Sequence, residues 1–328
     1  MPKAIRLFHY TDGIELEQDA LQGICSVEER VCTTEDEIIE NCQDADVLMG
    51  IFEPLTERVI KSLPNLKLIS CKSMGYNYVD LKAAKEAGVS VTHLRSFCVH
   101  EVADYVIACI LAHNKRLFAY DRSVRIDKKW DYSVCPDIRR FNTETVGLAG
   151  FGQIARLVAK KLSGFNVRIL AADPYIDQSI GDQYGVEMVD METLFKESDY
   201  VSLHIPLLEG TEHIIGKKHF DLIPESLVFI NSARGGVVVE EEMIDAIDQG
   251  KISYAYLDVL TDEYPNLEDH PLANRDNVIL TPHVAFYSLD SARDGRLQCC
   301  DNIRYYLQGE YEKCTFVPDG NNSPETRK

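Results

Sequence analysis

The segment VGLAGFGQIARLVAKKL, residues 146–162, constrains the fold more than any other stretch of the chain. It sets Gly150, Gly152 and Ala155 in G-x-G-x-x-A form between an apolar run and an amphipathic one. That order implies a strand, a tight turn and a helix. The next apolar run, VRILAAD, ends in Asp173, 23 residues after Gly150, close to the spacing of ~20 in a dinucleotide-binding unit. Each residue type has a physical reason. Gly150 permits the turn, and Gly152 lets backbone N–H groups at the helix N-terminus approach a pyrophosphate. Ala155 keeps the helix close to the sheet. Asp173 can accept hydrogen bonds from both ribose hydroxyls and would repel a 2′-phosphate, which points to NAD and away from NADP.

The rest of the chain supports an α/β fold with two doubly wound parallel sheets. KAIRLFHY, ADVLMG, LKLISCKS and VSVTHL read as strands in the first hundred residues. Helical patterns near 13–22, 35–43, 56–62 and 79–87 alternate with them, which is a βαβ rhythm. A long helix is expected over roughly 99–126, followed by an irregular arm, DKKWDYSVCPDIRRF. The rhythm restarts at ETVGLAG and runs through YVSLHI, LVFIN, ISYAYLDV and NVILT to a last helix at about 288–309. The polar tail NNSPETRK is expected to be disordered.

Composition narrows the function class. With 45% hydrophobic and 27% charged residues the chain is globular. Its net charge of −19 opposes phosphate backbones and anionic lipid, so neither nucleic acid nor a membrane is an expected partner. No run of eighteen apolar residues exists, and the start reads as a first strand rather than a signal peptide. The ten cysteines include no C-x-x-C, which argues for reduced thiols in the cytoplasm and against a zinc site or any other metal centre.

In open α/β sheets, ligands bind beyond the carboxyl ends of the strands. The strand ends of the second half carry His204 and Pro206, Arg234, Asp258 with Glu263 five residues on, and His283. An arginine fork, a carboxylate and a histidine form a set suited to reducing a 2-keto acid. The histidine donates to the oxygen that gains charge, the carboxylate favours the imidazolium, and the arginine binds the substrate carboxylate.

Taken with SMGYNYVDLKAAKEAGVSVTH at 73–93, EVADYVIACIL, SLHIPLLEGTEHII, INSARGGVVVEEEMIDAI and LDVLTDEYP, these features resemble the D-isomer-specific 2-hydroxyacid dehydrogenases over nearly the whole chain. The resemblance implies a flavodoxin-like substrate domain from residues 1–98 and 290–328, and a Rossmann NAD domain at 99–289. It makes Arg234, Glu263 and His283 the catalytic set, with Met74 and Gly75 offering N–H groups to the substrate carboxylate. NAD contacts would come from Gly150, Gly152, Gln153, Ile154, Asp173, His204, Ile205, Pro206, Ser232, Ala233, Arg234, Asp258, His283, Ala285 and Phe286. It further implies a homodimer built on the NAD domain through the long helix and the arm, with Trp130 at that interface.

The chain departs from the family pattern in places. Asp104 stands where Glu is more frequent, and Tyr264 replaces the proline that usually follows the glutamate. FYS at 286–288 is closer to the D-lactate branch. The chain also ends without the extension of many phosphoglycerate enzymes. An NAD-sensing corepressor-like protein would keep the same three residues and is the alternative reading. A formate dehydrogenase would pair its histidine with glutamine, which Glu263 disfavours. Phe52 and Glu53, in the loop after ADVLMG, are expected either to face the cleft, covering an apolar substrate tail and repelling a phosphate, or to face solvent or the core. Beyond Lys72 no basic group stands in 50–55 or 73–77.

Overall fold

The computed structural model describes residues 1–318, so the tail NNSPETRK lies outside the described residues. The chain forms two compact units, Met1–Cys98 with the segment from Ser288 onward, and Val99–Tyr287.

The first unit holds five strands: β1 Lys3–Arg6, β2 Ser26–Glu29, β3 Val47–Gly50, β4 Leu68–Cys71 and β5 Ser90–Thr92. All are parallel, in the order β2-β1-β3-β4-β5, a flavodoxin-like winding. Strands β3, β4 and β5 are buried along their full length because helices cover both faces. Thr34, Thr56 and Asp80 start three of those helices by accepting a hydrogen bond from an amide three residues on. Strand β2, SVEE, is an addition to the strands expected from sequence. It is an edge strand with two glutamates and no apolar run.

The second unit holds seven strands: β6 Thr145–Ala149, β7 Arg168–Ala172, β8 Glu187–Met188, β9 Tyr200–Leu203, β10 Leu227–Asn231, β11 Ile252–Leu257 and β12 Val278–Leu280. They are parallel in the order β12-β11-β10-β9-β6-β7-β8. The winding direction reverses between β9 and β6, which in this architecture opens a crevice at the strand ends. Apolar layers pack both faces, one around Leu170, Phe195, Phe229 and Leu257, the other around Ile110, Leu148, Phe151 and Ile230.

The single helix expected over 99–126 is two helices, Val99–Asn114 and Leu117–Arg125. The break has a clear cause. His113 is buried beside the rings of Tyr200, Tyr254 and Tyr256, and burial pushes its imidazole down to about 3. Asn114 donates to Glu144 Oε2 at 2.8 Å. Arg116 then takes a left-handed conformation (φ 50°), with its guanidinium on the His113 ring and 2.6 Å from Asp137 in the arm. Among the described residues no helix is long and apolar enough to cross a membrane.

In the first unit the last helix, Leu289–Gln308, is tied back to the N-terminal segment through buried charge. Glu17, fully buried, accepts from Arg6 Nη1 at 2.9 Å and from Arg296 Nε and Nη2 at 2.8 and 2.6 Å. Arg6 also pairs with Glu29, and Arg296 with Asp12. Removing Glu17 would leave two buried guanidiniums short of an anion, a change that costs about 3–5 kcal/mol. Glu17→Ala should therefore lower the urea-unfolding free energy by about 3 kcal/mol, the low end of that range because Glu29 and Asp12 remain. A midpoint unchanged in urea would contradict this.

Candidate active site

Six adjacent strands of the second unit present the expected residues in one row. Along the sheet, β12 leads to His283, β11 to Asp258 and Glu263, β10 to Ser232–Arg234, β9 to His204–Pro206, β6 to the glycine turn and β7 to Asp173. The row lies at the carboxyl ends, the ligand side of such sheets.

At the reversal point, Gly150 has φ 91°, and a Cβ there would lie 2.7 Å from the His204 carbonyl oxygen. Glycine is required on both counts. The helix Gln153–Leu162 starts at Gly152 with no side-chain cap, so its first N–H groups, among them those of Gln153 and Ile154, are available to an anion. No atom lies within 4 Å of where a Gly152 Cβ would project. Ala155 is fully buried. Asp173 accepts from Phe151 N and Tyr175 N, both at 2.9 Å, so it fixes the turn as well. Each carboxylate oxygen keeps a further lone pair for a hydroxyl.

After β9, His204 Nε2 is buried without a hydrogen-bond partner, and burial pushes the ring down to about 4, so it is neutral. Ile205 is buried and Pro206 exposed. Ser232 Oγ, after β10, is likewise buried and without a hydrogen-bond partner. A capless helix N-terminus with open space, an acid at the end of the next strand, and buried polar atoms awaiting partners fit a dinucleotide such as NAD.

Arg234 owes its place to Asn231. The Asn231 side chain accepts from Ala233 N and donates to the Arg234 carbonyl, both at 3.0 Å, bracing the turn from inside. The guanidinium donates to the Ala233 carbonyl at 2.8 Å. Gly235 follows because the backbone of Leu260 and Thr261 occupies the space a Cβ would need.

Asp258, 1% exposed, organises the histidine. One oxygen accepts from Thr281 Oγ1 at 2.6 Å and Val284 N at 2.9 Å, the other from Ala285 N at 2.9 Å. Its carbonyl accepts from His283 N at 2.8 Å. Tyr105 Oη lies 2.6 Å from Thr281 Oγ1 and extends the chain of bonds. His283 is thereby held in a left-handed conformation (φ 49°), uncommon for a residue with a side chain. Its Nδ1 lies 2.6 Å from Glu263 Oε2, and the ring meets Phe286 edge-on at 6.1 Å. A carboxylate only accepts, so Nδ1 carries the hydrogen. Tyr264, in the position where proline was expected, donates its N–H to Asp262 Oδ1 at 2.9 Å.

In the first unit, Met74 and Gly75 sit in a braced loop after β4. Ser73 Oγ donates to the Gly75 carbonyl at 2.6 Å, and His93 Nδ1 lies 3.0 Å from the Met74 carbonyl. Tyr78 Oη donates to the Gly50 carbonyl at 2.9 Å, linking this loop to the one after β3. There Phe52 meets Tyr78 edge-on. Glu53 turns back on its own loop and accepts from Ile51 N at 2.6 Å and Phe52 N at 3.2 Å. Its charge is thus used to shape the loop. Lys72 is buried, its ammonium 5.3 Å from the ring centres of Tyr10 and Phe97, and burial pushes it down to about 8.

Sequence reasoning did not single out Asn231, Thr281 or Tyr105 as site residues. Asn231 ends its strand in front of Arg234, which was a usable signal. Tyr105 lies 176 residues from its partner and gave none.

The family model for the D-isomer specific 2-hydroxyacid dehydrogenase NAD binding domain matches residues 107–285. The chain is 33% identical over 288 residues to a glyoxylate reductase of Thermofilum pendens, covering 84% of this chain and 82% of that one. It is 32% identical over 294 residues to a hydroxypyruvate reductase of Thermotoga maritima, with 88% and 94% covered. Among solved structures, a D-lactate dehydrogenase from Aquifex aeolicus complexed with NAD and lactic acid superposes with a TM-score of 0.85 at 28% identity, over 96% of this chain and 98% of that one.

The Asp173 geometry yields a binding prediction. Fluorescence titration should show NADH binding at least about tenfold more tightly than NADPH, since ~1.4 kcal/mol of charge repulsion corresponds to that factor. Asp173→Ala should narrow the gap. Equal affinities in the unaltered protein would remove Asp173 from the ribose site.

Proposed function

The chain belongs to the D-isomer-specific 2-hydroxyacid dehydrogenase family and is an NAD-dependent enzyme of it, and from that premise we propose that it interconverts a small 2-keto acid and its D-2-hydroxy acid with His283 as the acid/base. The observation that carries this reading is the His283–Glu263 pair at 2.6 Å, on the same strand-end row as the glycine turn. NADH supplies the hydride when bound. Protonated His283 gives its Nε2 proton to the carbonyl oxygen as charge develops there, and takes it back in the oxidative direction. Glu263 accepts the Nδ1 hydrogen and so fixes the ring's orientation and tautomer. Arg234 binds the substrate carboxylate and polarises the carbonyl. Met74 and Gly75 offer backbone N–H groups to that carboxylate.

On this reading the first unit is the substrate domain and the second the NAD domain. The protein works in the cytoplasm, in keeping with ten free cysteines. A homodimer is supported by exposed apolar side chains on the second helix and the arm, among them Leu117, Phe118, Ile126, Trp130 and Tyr132.

The substrate tail is uncharged. Around the Met74 loop stand Phe52 and the carboxylate of Glu53, and the nearby Lys72 is enclosed by rings. Desolvating a phosphate dianion without a paired cation is costly. Pyruvate, glyoxylate, hydroxypyruvate or a branched analogue is favoured over 3-phosphohydroxypyruvate. An NADH-oxidation screen over these acids tests the function. No turnover on any would leave a binding role instead.

His283→Ala should lower kcat by about 10²–10⁴-fold, the usual worth of acid–base catalysis, while NADH affinity changes little. A near-normal kcat excludes the role. Glu263→Gln should lower kcat by about tenfold with the KM for NADH little changed, because the ring loses the carboxylate that fixes its orientation. The ester of hydroxypyruvate should be the poorer substrate in kcat/KM. A preference for it beyond about tenfold, ~1.4 kcal/mol in transition-state binding, would overturn the uncharged-tail assignment.

A further inference from the structure

Glu263 lies on an exposed stretch, yet its carboxylate must meet His283 Nδ1 at 2.6 Å. What holds it there is not its own neighbours alone. Glu240, the first residue of the helix Glu240–Asp248, reaches that loop with both carboxylate oxygens. Oε2 accepts from Thr261 N at 3.1 Å, two residues before Glu263. Oε1 lies 3.5 Å from His270 Nε2, seven residues after it. His270 Nδ1 accepts from Leu272 N at 3.3 Å, which leaves Nε2 as the ring nitrogen beside Glu240. One side chain therefore bridges the two stems of the loop that carries Glu263. The Glu240 carboxylate is directed at the loop, where Oε2 accepts from Thr261 N.

We propose that Glu240 is a positioning residue for the reaction: its carboxylate clamps Thr261 and His270 and so sets the distance from Glu263 to His283. The inference rests on the acid/base reading of His283. Three other features bear on the same loop. Gly235 lets the Leu260–Thr261 backbone pack against the β10 turn, Asp262 accepts from Tyr264 N, and Asp258 anchors the histidine side. None of these joins the two stems. Without Glu240 the Thr261 amide loses its acceptor and the His270 ring its neighbouring carboxylate, which loosens the chain on both sides of Glu263. The Glu240 carboxylate meets Thr261 and His270, on either side of Glu263, so its effect on the reaction passes through Glu263.

The test is a double-mutant cycle in the full-length protein, read by steady-state keto-acid reduction. Glu240→Ala should lower kcat by about tenfold with the KM for NADH within about twofold, the pattern of a lost transition-state interaction. The double variant Glu240→Ala/Glu263→Gln should be no slower than Glu263→Gln alone, because a residue acting only through another shows full coupling. Glu240→Gln, which can satisfy Thr261 or His270 but not both, should fall between. Additive losses in the double variant, or a normal kcat for Glu240→Ala, would overturn the proposal. Should Glu240→Ala fail to fold by circular dichroism, His270→Ala removes the other end of the clamp and carries the same cycle with the same two outcomes. The underlying reading fails separately: if His283→Ala and Glu263→Gln are both near normal, the acid/base assignment falls, whereas slow forms of those two beside a normal Glu240→Ala remove only the clamp.

Discussion

The arrangement at the strand ends depends on one buried carboxylate. Asp258 is almost fully removed from solvent, and burial pushes its carboxyl up. An unpaired charge there would be prohibitive, but three donors from the 281–285 turn meet its two oxygens. The bonds cost desolvation and gain geometry. They hold His283 in a left-handed conformation that, by itself, a side-chain-bearing residue disfavours. Thr281, Tyr105 and the backbone of Val284 and Ala285 have positions because Asp258 has one. A group kept at such expense is retained for where it puts its neighbours.

The same logic explains why glycine appears where it does. Gly150 and Gly235 are places where two backbone segments of adjacent strand ends touch. At Gly150 the turn meets the His204 carbonyl at the reversal point of the sheet. At Gly235 the arginine turn meets the loop that leads to Glu263. In both, a methyl group would separate elements whose closeness creates the site. The parallel sheet supplies the row of strand ends, and these contacts decide that the row converges. The buried polar atoms of His204 and Ser232 then lie along that row as groups to be satisfied by a ligand.

Much of this was legible in the sequence, for stateable reasons. The glycine turn and Asp173 were readable because their spacing is dictated by one βαβ unit. Strands β3, β4, β9 and β10 were readable because burial on both faces writes them as mainly apolar runs, broken in β4 and β9 by a single buried serine. Strand β2 was not, since an edge strand with Glu28 and Glu29 has neither run nor strict alternation. The break at Arg116 was hidden because every residue from Val99 to Arg125 is compatible with a helix. Only the distant partners of His113 and Asn114 interrupt it. The sequence leaves Glu53 open between the cleft, solvent and the core; its bonds to Ile51 N and Phe52 N are local ones that charge patterning does not announce.

The replacement of proline by Tyr264 shows how a motif can change while its geometry is kept. A proline ring fixes the chain by restricting φ and removes a donor. Tyr264 brings that donor back, and an N–H in an exposed turn would invite other conformations. Asp262 accepts it two residues upstream at 2.9 Å, an Asx turn that limits the same freedom by a bond instead of a ring. A hydrogen bond to a carboxylate in an exposed turn opens more readily than a ring, so the loop around Glu263 relies more heavily on its other ties. Those ties, Thr261 and His270 on Glu240 and the Leu260–Thr261 backbone on Gly235, lie outside the turn itself. The constraint that one residue type would have supplied locally is thus distributed over a helix start, a strand end and a distant histidine.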